Sequence, residues 1–176
     1  TAAKAGIATT TLVSTNNLIV NGQFTDVILG EDGYTFTNNI KGWKTTDEIE
    51  VGQGKIYNKR WNKEIVIEID GKDNDSIYQI VTVKKETIAT FSFRYAATQT
   101  RKLTCGLVVS LNGKKIFEKS PATDYEINFY SASIKLEQGS NIISFKAAKT
   151  SDGYGMHFTD VKLIPEEGAV ISEDSC

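Results

Sequence analysis

The chain has 176 residues, 40% of them hydrophobic and 24% charged, with a formal net charge of −2. That length fits one domain with a sizeable core, and the charge balance leaves no surplus of cations to neutralise phosphates, which excludes nucleic acid as a partner. Every apolar run falls short of the ~20 residues that span a bilayer as a helix, so no membrane span is expected.

Residues 1–16 read as an N-terminal arm. The opening TAAKAGIATTTLVSTNN is small, rich in hydroxyls and free of acids, and its one β-prone run, IATTTLV (7–13), is followed by a polar hinge. Composition assigns such an end to no packed core. A detached β-prone run is suited to strand exchange, adding a strand to the open edge of a neighbouring sheet, so self-association through residues 1–16 is one expectation. Stretches of this kind recur on secreted and surface proteins, which makes the expected location extracellular or the cell surface.

From residue 17 to 165 the pattern has a period of two, with no window of helical periodicity longer than ten residues. EIVIEID (64–70) puts Ile65, Ile67 and Ile69 on one face and Glu64, Glu68 and Asp70 on the other. TIATFSFRYAA (87–97) aligns Ala89, Phe91, Phe93, Tyr95 and Ala97, and NIISFKAA (141–148) behaves in the same way. Such alternation marks half-buried strands. Asn112-Gly113 joins two alternating runs and is a strong hairpin signal, because both residues tolerate positive φ. About ten strand candidates at short spacing predict an all-β fold, an antiparallel two-sheet β-sandwich or jelly roll. Residues 166–176, EEGAVISEDSC, form an acidic C-terminal tail.

Two cysteines permit one intramolecular pair. Cys105 lies in the strand-like LTCGLVV and reads as a buried free thiol. Cys176 is terminal, and a disulfide within the chain or to a neighbour stays open. Asn74-Asp75-Ser76 is the pattern of an N-glycosylation acceptor.

The ordered series NLIVNGQF (17–24), GW (42–43), EIEV (48–51), EIDG (68–71), SIYQIVTV (76–83), TFSFRYA (90–96), VSLNGKKI (109–116), TDYEI (123–127) and TSDGYGMHFTDVKL (150–163) resembles the galactose-binding-like β-sandwich domains of bacterial and protist surface proteins, relatives of carbohydrate-binding modules. The resemblance covers residues 17–164. It implies a non-catalytic module that binds sugars or other surface ligands and holds a structural calcium between its first and last strands. The ligands it implies are Gln23 through its backbone carbonyl, Thr25 in place of the family's acid, and Asp160; Asp26 would supply the missing carboxylate. Calcium favours several hard oxygens, so the exchange of an acid for Thr25 lowers the expected affinity.

GYGMHFTDVKLIP (153–165) contains the only histidine. Alternation places Met156, Phe158 and Asp160 on one face, with His157, Thr159 and Val161 on the other. One His without a second His or Cys makes no ordinary zinc site, and no G-x-S-x-G elbow exists to present a serine nucleophile. His157 therefore reads as a structural residue in a terminal strand. Same-face acids at Glu48 and Glu50, or Glu64 and Glu68, would suit a glycosidase pair, yet the solvent face of any antiparallel strand looks alike. No catalytic residues are assigned.

Aromatic residues beside polar loops carry the binding expectation. KIYNKRWNKE (55–64) sets Tyr57 and Trp61 among Asn58, Arg60 and Asn62, and Tyr154 in the Gly-flanked DGYGM would share the same rim. Sugars stack their C–H faces on rings and give their hydroxyls to neighbouring amides and charges. Trp43 reads as a loop anchor, whereas Trp61 is open between anchoring and binding. In PATDYEINFY (121–130), Tyr125, Ile127 and Phe129 share a face read as core. Two functions follow: a glycan- or surface-ligand-binding module, or a self-assembling structural subunit of a filament, tube or surface layer.

Overall fold

The structure, a computed structural model, describes residues 8–13, 16–69, 75–98, 106–119, 125–148 and 155–172, with backbone alone for 8–13 and 167–172. Its elements are β1 (Ala8–Val13), β2 (Tyr34–Thr37), β3 (Lys44–Thr45), β4 (Ile49–Gln53), α1 (Gly54–Tyr57), β5 (Ile65–Ile69), β6 (Ser76–Val83), β7 (Thr87–Ala96), β8 (Leu107–Leu111), β9 (Lys114–Lys119), β10 (Asn128–Leu136), β11 (Gly139–Ala147) and β12 (Met156–Ser172). The larger sheet runs β10-β7-β12-β5-β4-β2, and the smaller runs β3-β6-β11-β8-β9. Every pairing is antiparallel, so the fold is the all-β two-sheet sandwich the alternation predicts. The β8–β9 hairpin turns at Asn112 (φ 50°) and Gly113 (φ 81°). The β-prone run of the arm forms β1, paired with Glu166–Ser172 at the far end of its own chain's β12.

Aromatic rings fill the space between the sheets. Phe145 of β11 and Phe158 of β12 stack at 4.1 Å with 3° between their planes, joining the two layers directly. Phe24 meets Phe158 edge-on at 5.8 Å, and Trp43 lies 5.5 Å from Phe24 and 6.1 Å from Phe145. Each such pair adds about 0.5–1.5 kcal/mol beyond the area it buries.

The segment 16–25 is held to β12 by this cluster and by polar pins. Gln79, a buried side chain of β6, both donates to the Val20 carbonyl and accepts from its N–H. Asn17 accepts from the N–H groups of Ile19 and Leu163, and the Trp43 indole donates to the Asn21 carbonyl. Asn21 (φ 54°) and Phe24 (φ 57°) adopt left-handed backbone, which turns the fully buried Phe24 ring inward. Gly22 fits because nothing else would: a Cβ there would lie 2.1 Å from the Val161 carbonyl oxygen.

β12 itself carries a bulge. Thr159 pairs with Arg94 and Lys162 with Ser92, so β12 has one residue more than β7 across this interval. Asp160 takes the left-handed conformation (φ 57°) that absorbs the extra residue. Simple alternation therefore fails here. Met156 and Phe158 face the core as expected, but beyond the bulge Val161 and Leu163 are the inward pair, and Asp160 is released toward the surface.

The outer face of the larger sheet is covered at its centre by α1 and the residues after it. Tyr57 lies over Gly52, where a Cβ would sit 2.3 Å from its hydroxyl oxygen. The Tyr57 ring stacks at 4.4 Å on His157, which is fully buried. Burial pushes the Tyr57 hydroxyl well above its ordinary pKa, and the Glu50 and Glu68 carboxylates add to the effect. Trp61 packs with Val66, Ala96 and Ile127.

Burial pushes the His157 imidazole down to about 3, with a hydrogen bond to the Ala96 backbone pulling weakly the other way. An unfolded histidine takes up a proton near pH 6.5, so between these values the unfolded chain binds more protons than the folded one. Stability is complete above that upper value and falls on acidification. Because the chain has a single histidine, the unfolding free energy from urea titration should drop by about 1.4 kcal/mol between pH 7.5 and 5.5; a flat profile would place the imidazole in water. Gly22→Ala should cost about 3 kcal/mol in the same assay because backbone must yield, against about 1 kcal/mol for Gly113→Ala, where the space is open and only φ resists. Equal losses at the two sites would contradict the close approach of Gly22 to β12.

Candidate functional site

Beside the bulge, the outer face of the larger sheet opens into a cleft of about 370 Å³ lined by Gln23, Thr25, Asn62, Lys63, Glu64, Ile65, Arg94, Thr159 and Asp160. Three separate features build it. The 16–25 segment, seated on β12, delivers Gln23 and Thr25. The bulge delivers Asp160. The strand edge where β5 begins delivers Asn62 and Glu64, opposite Arg94 of β7.

Arg94 organises the charges. Its Nη1 donates to Glu64 Oε1 at 3.1 Å, and its guanidinium lies 5.2 Å from the centre of the Trp61 ring. One N–H of five is thereby used toward Glu64, and a guanidinium has further donors to offer. Partial burial pushes Glu64 up, but hydrogen bonds from its own backbone and that of Asn62, together with Arg94, outweigh it and hold the carboxyl below its usual range. Glu64 is thus ionised at neutral pH and is a hydrogen-bond acceptor, not a proton donor. On the opposite wall Asp160 Oδ1 accepts from Gln23 Nε2 at 3.4 Å and lies 3.6 Å from Lys162 Nζ. Carboxylates, amides and a guanidinium in one hollow can exchange hydrogen bonds with a polyhydroxylated ligand in both directions.

The structure separates the residues on which the binding expectation rested. Trp61 is 2% exposed and Asn58 1%, so neither presents a surface to a ligand. Asn58 donates to the Ala97 and Tyr125 carbonyls and accepts from the Arg60 N–H, pinning the turn after α1. Tyr57 is occupied by His157. Arg60 is exposed and pairs with Glu126 at 3.2 Å, outside the cleft lining. Asn62 alone of this group lines the cleft. Tyr154 lies outside the described residues, as do Cys105, Cys176 and Asn74. Trp43 is an anchor, 5% exposed within the core.

Of the calcium ligands implied by resemblance, Gln23, Thr25 and Asp160 meet in the cleft, while Asp26 does not line it. Both Asp26 oxygens serve its own loop, one accepting from Asn21 Nδ2 and the other from the Lys41 N–H. Asp160 is therefore the one carboxylate of the set, with a lysine ammonium beside it. Among the described residues no three of His, Cys, Asp and Glu gather as metal ligands. This donor chemistry fits calcium poorly.

Sequence reasoning missed Glu64, Arg94 and Thr159 as site residues. Their signal was present: Arg94 is the one cation in a strand whose inward face is Phe91, Phe93 and Tyr95. Phe129 was read as core and is instead 66% exposed, because the inward residues of β10 are Tyr130, Ile134 and Leu136. Tyr34 and Phe36, 6.1 Å apart on edge strand β2, are also exposed, on the same face but beyond the covering at Tyr57. A larger hollow of about 580 Å³ on the smaller sheet is lined by Val108, Ser110, Lys115, Glu118 and Lys146 among others; no ring lines it among the described residues, and Lys115 pairs with Glu118.

No family model matches the chain. Over 157 residues it is 30% identical to a multifunctional-autoprocessing repeats-in-toxin protein of Vibrio cholerae serotype O1, a stretch that covers 88% of this chain and 3% of that protein's length. Among solved structures it is similar to TmCBM61 in complex with beta-1,4-galactotriose, with a TM-score of 0.51 and 16% identity over 86% of this chain and 100% of the other. It is similar also to a CBM4 structure, with a TM-score of 0.50 and 16% identity over 84% and 99%. The chain has the β-sandwich fold of carbohydrate-binding modules.

Proposed function

We propose that this chain is a non-catalytic carbohydrate-binding module of an extracellular or surface protein, with its ligand seated in the cleft at the β12 bulge. The observation that carries the reading is the convergence of Asn62, Glu64, Arg94 and Asp160 in one hollow of about 370 Å³, within the size range of small-molecule sites. Vicinal sugar hydroxyls both donate and accept, and they suit a guanidinium and two carboxylates. Glu64 is held ionised by its N–H partners and Arg94, so it acts as an acceptor and not as a general acid. The galactotriose carried by one structural relative makes β-linked galactosides a natural first probe.

Binding at an open cleft in water is expected to be weak, roughly micromolar to millimolar. On an array of immobilised β-linked galacto-, gluco-, manno- and xylo-oligosaccharides, the wild type should bind at least one series. Calorimetry with that oligosaccharide should give the same affinity in EDTA and in calcium, and Arg94→Gln or Asp160→Asn should weaken it about tenfold each while leaving the unfolding transition cooperative. No binding to any glycan, or unchanged binding in both variants, would contradict the assignment. Binding lost in EDTA and restored by calcium would return the metal to the site.

A further inference from the structure

Phe129 stands directly opposite Arg94 in the β10–β7 register, and Arg94 stands directly opposite Thr159 in the β7–β12 register. Directly opposed residues of antiparallel strands project to the same face. Phe129, Arg94 and Thr159 therefore form one row across three strands on the outer face of the larger sheet, and the two strand spacings between its ends span ~10 Å. The neighbouring row, one pleat along, is Ser131, Ser92 and Lys162. The sheet surface that leads from the cleft to the β10 edge thus presents Arg94, Lys162 and Ser131, with Ser92 and Thr159 nearly buried between them, and it ends at an aromatic ring 66% exposed to solvent.

Resting on the carbohydrate reading above, we infer that the site extends beyond the cleft and takes a linear oligosaccharide laid across β12, β7 and β10, with one sugar ring stacked on Phe129. Thr159 and Phe129, at the two ends of the row, lie ~10 Å apart, so a monosaccharide seated against Thr159 and Asp160 does not also cover the Phe129 ring. An exposed phenylalanine within one strand of a guanidinium–carboxylate pair matches a ligand whose faces are apolar and whose edges are hydroxylated. A protein partner fits less well, since a stable interface buries roughly 800 Å² per side and a single phenyl ring supplies at most ~200 Å².

The test is a chain-length series, from one to six units, of the oligosaccharide that scores highest on the glycan array, titrated against the wild type, Phe129→Ala, Phe129→Trp and Phe36→Ala. Affinity of the wild type should rise about tenfold from the monosaccharide to the trisaccharide. Phe129→Ala should abolish that rise and leave monosaccharide affinity within twofold, Phe129→Trp should preserve it, and Phe36→Ala should change nothing. Because Phe129 is exposed, its replacement tests binding and not folding. A length-dependent gain that survives in Phe129→Ala, or one lost in Phe36→Ala, would overturn the inference while leaving the carbohydrate reading intact. Binding by no variant and no wild type would remove that reading, and the extended site with it. Light scattering that showed wild-type dimers dispersed by Phe129→Ala would assign the ring to self-association instead.

Discussion

The parallel stack of Phe145 on Phe158 bridges the two sheets, and the position of the cleft depends on it. Phe24 closes on the edge of Phe158, Trp43 closes on Phe24 and Phe145, and the Trp43 indole holds the Asn21 carbonyl. These contacts seat the turn at residues 21–25 against β12 so tightly that only glycine fits at position 22. Gln23 and Thr25 then lie where the bulge turns Asp160 outward. The cleft is in this way positioned by buried rings. Rigid placement of this kind limits the ordering a ligand must impose when it binds.

The same outer face shows two uses of aromatic residues. Tyr57 and Trp61 close down on the sheet, over Gly52, His157, Val66 and Ala96, and form a small second core. That core leaves the Trp61 indole N–H without a hydrogen-bond partner among the described residues, a cost of about 1–3 kcal/mol. In return it gives Arg94 a flat ring to rest on and fixes the guanidinium toward Glu64. Phe129, on the other side of Arg94, stays in solvent. Trp61 thus serves the site from beneath, through Arg94, and a stacking role falls to a ring the sequence pattern assigned to the core.

Much of the fold was legible in the sequence because alternation is a direct record of burial in an antiparallel sheet. β6 and β11 show it without interruption, β5 and β7 show it in sequence although their outer faces are partly covered, and Asn112-Gly113 marks its own hairpin. The legible part stops where one residue breaks the period. An extra residue in β12 reversed the faces of everything beyond Thr159, so that Val161 and Asp160 exchanged their expected roles. In 125–130 two apolar series overlap, Tyr125–Ile127–Phe129 and Tyr130 with Ile134 and Leu136, and only the sheet shows that the second faces inward. Trp61 and Tyr57 sit in a polar segment that resembles a binding loop, and their burial depends on Gly52 in β4 and Gly54 at the start of α1, which admit Tyr57 and Trp61. The cleft itself joins residues 23, 62, 94 and 160, whose proximity is set by strand order.

The most direct measurement is a nitrogen–proton correlation spectrum of the isotope-labelled protein, titrated with the oligosaccharide that binds best on the array. The account predicts amide shifts that cluster at Asn62, Glu64, Ser92, Arg94, Phe129, Thr159 and Asp160, with β8, β9 and β11 unperturbed. Shifts confined to the smaller sheet, or centred on Tyr34 and Phe36, would contradict it and move the site to another face of the sandwich.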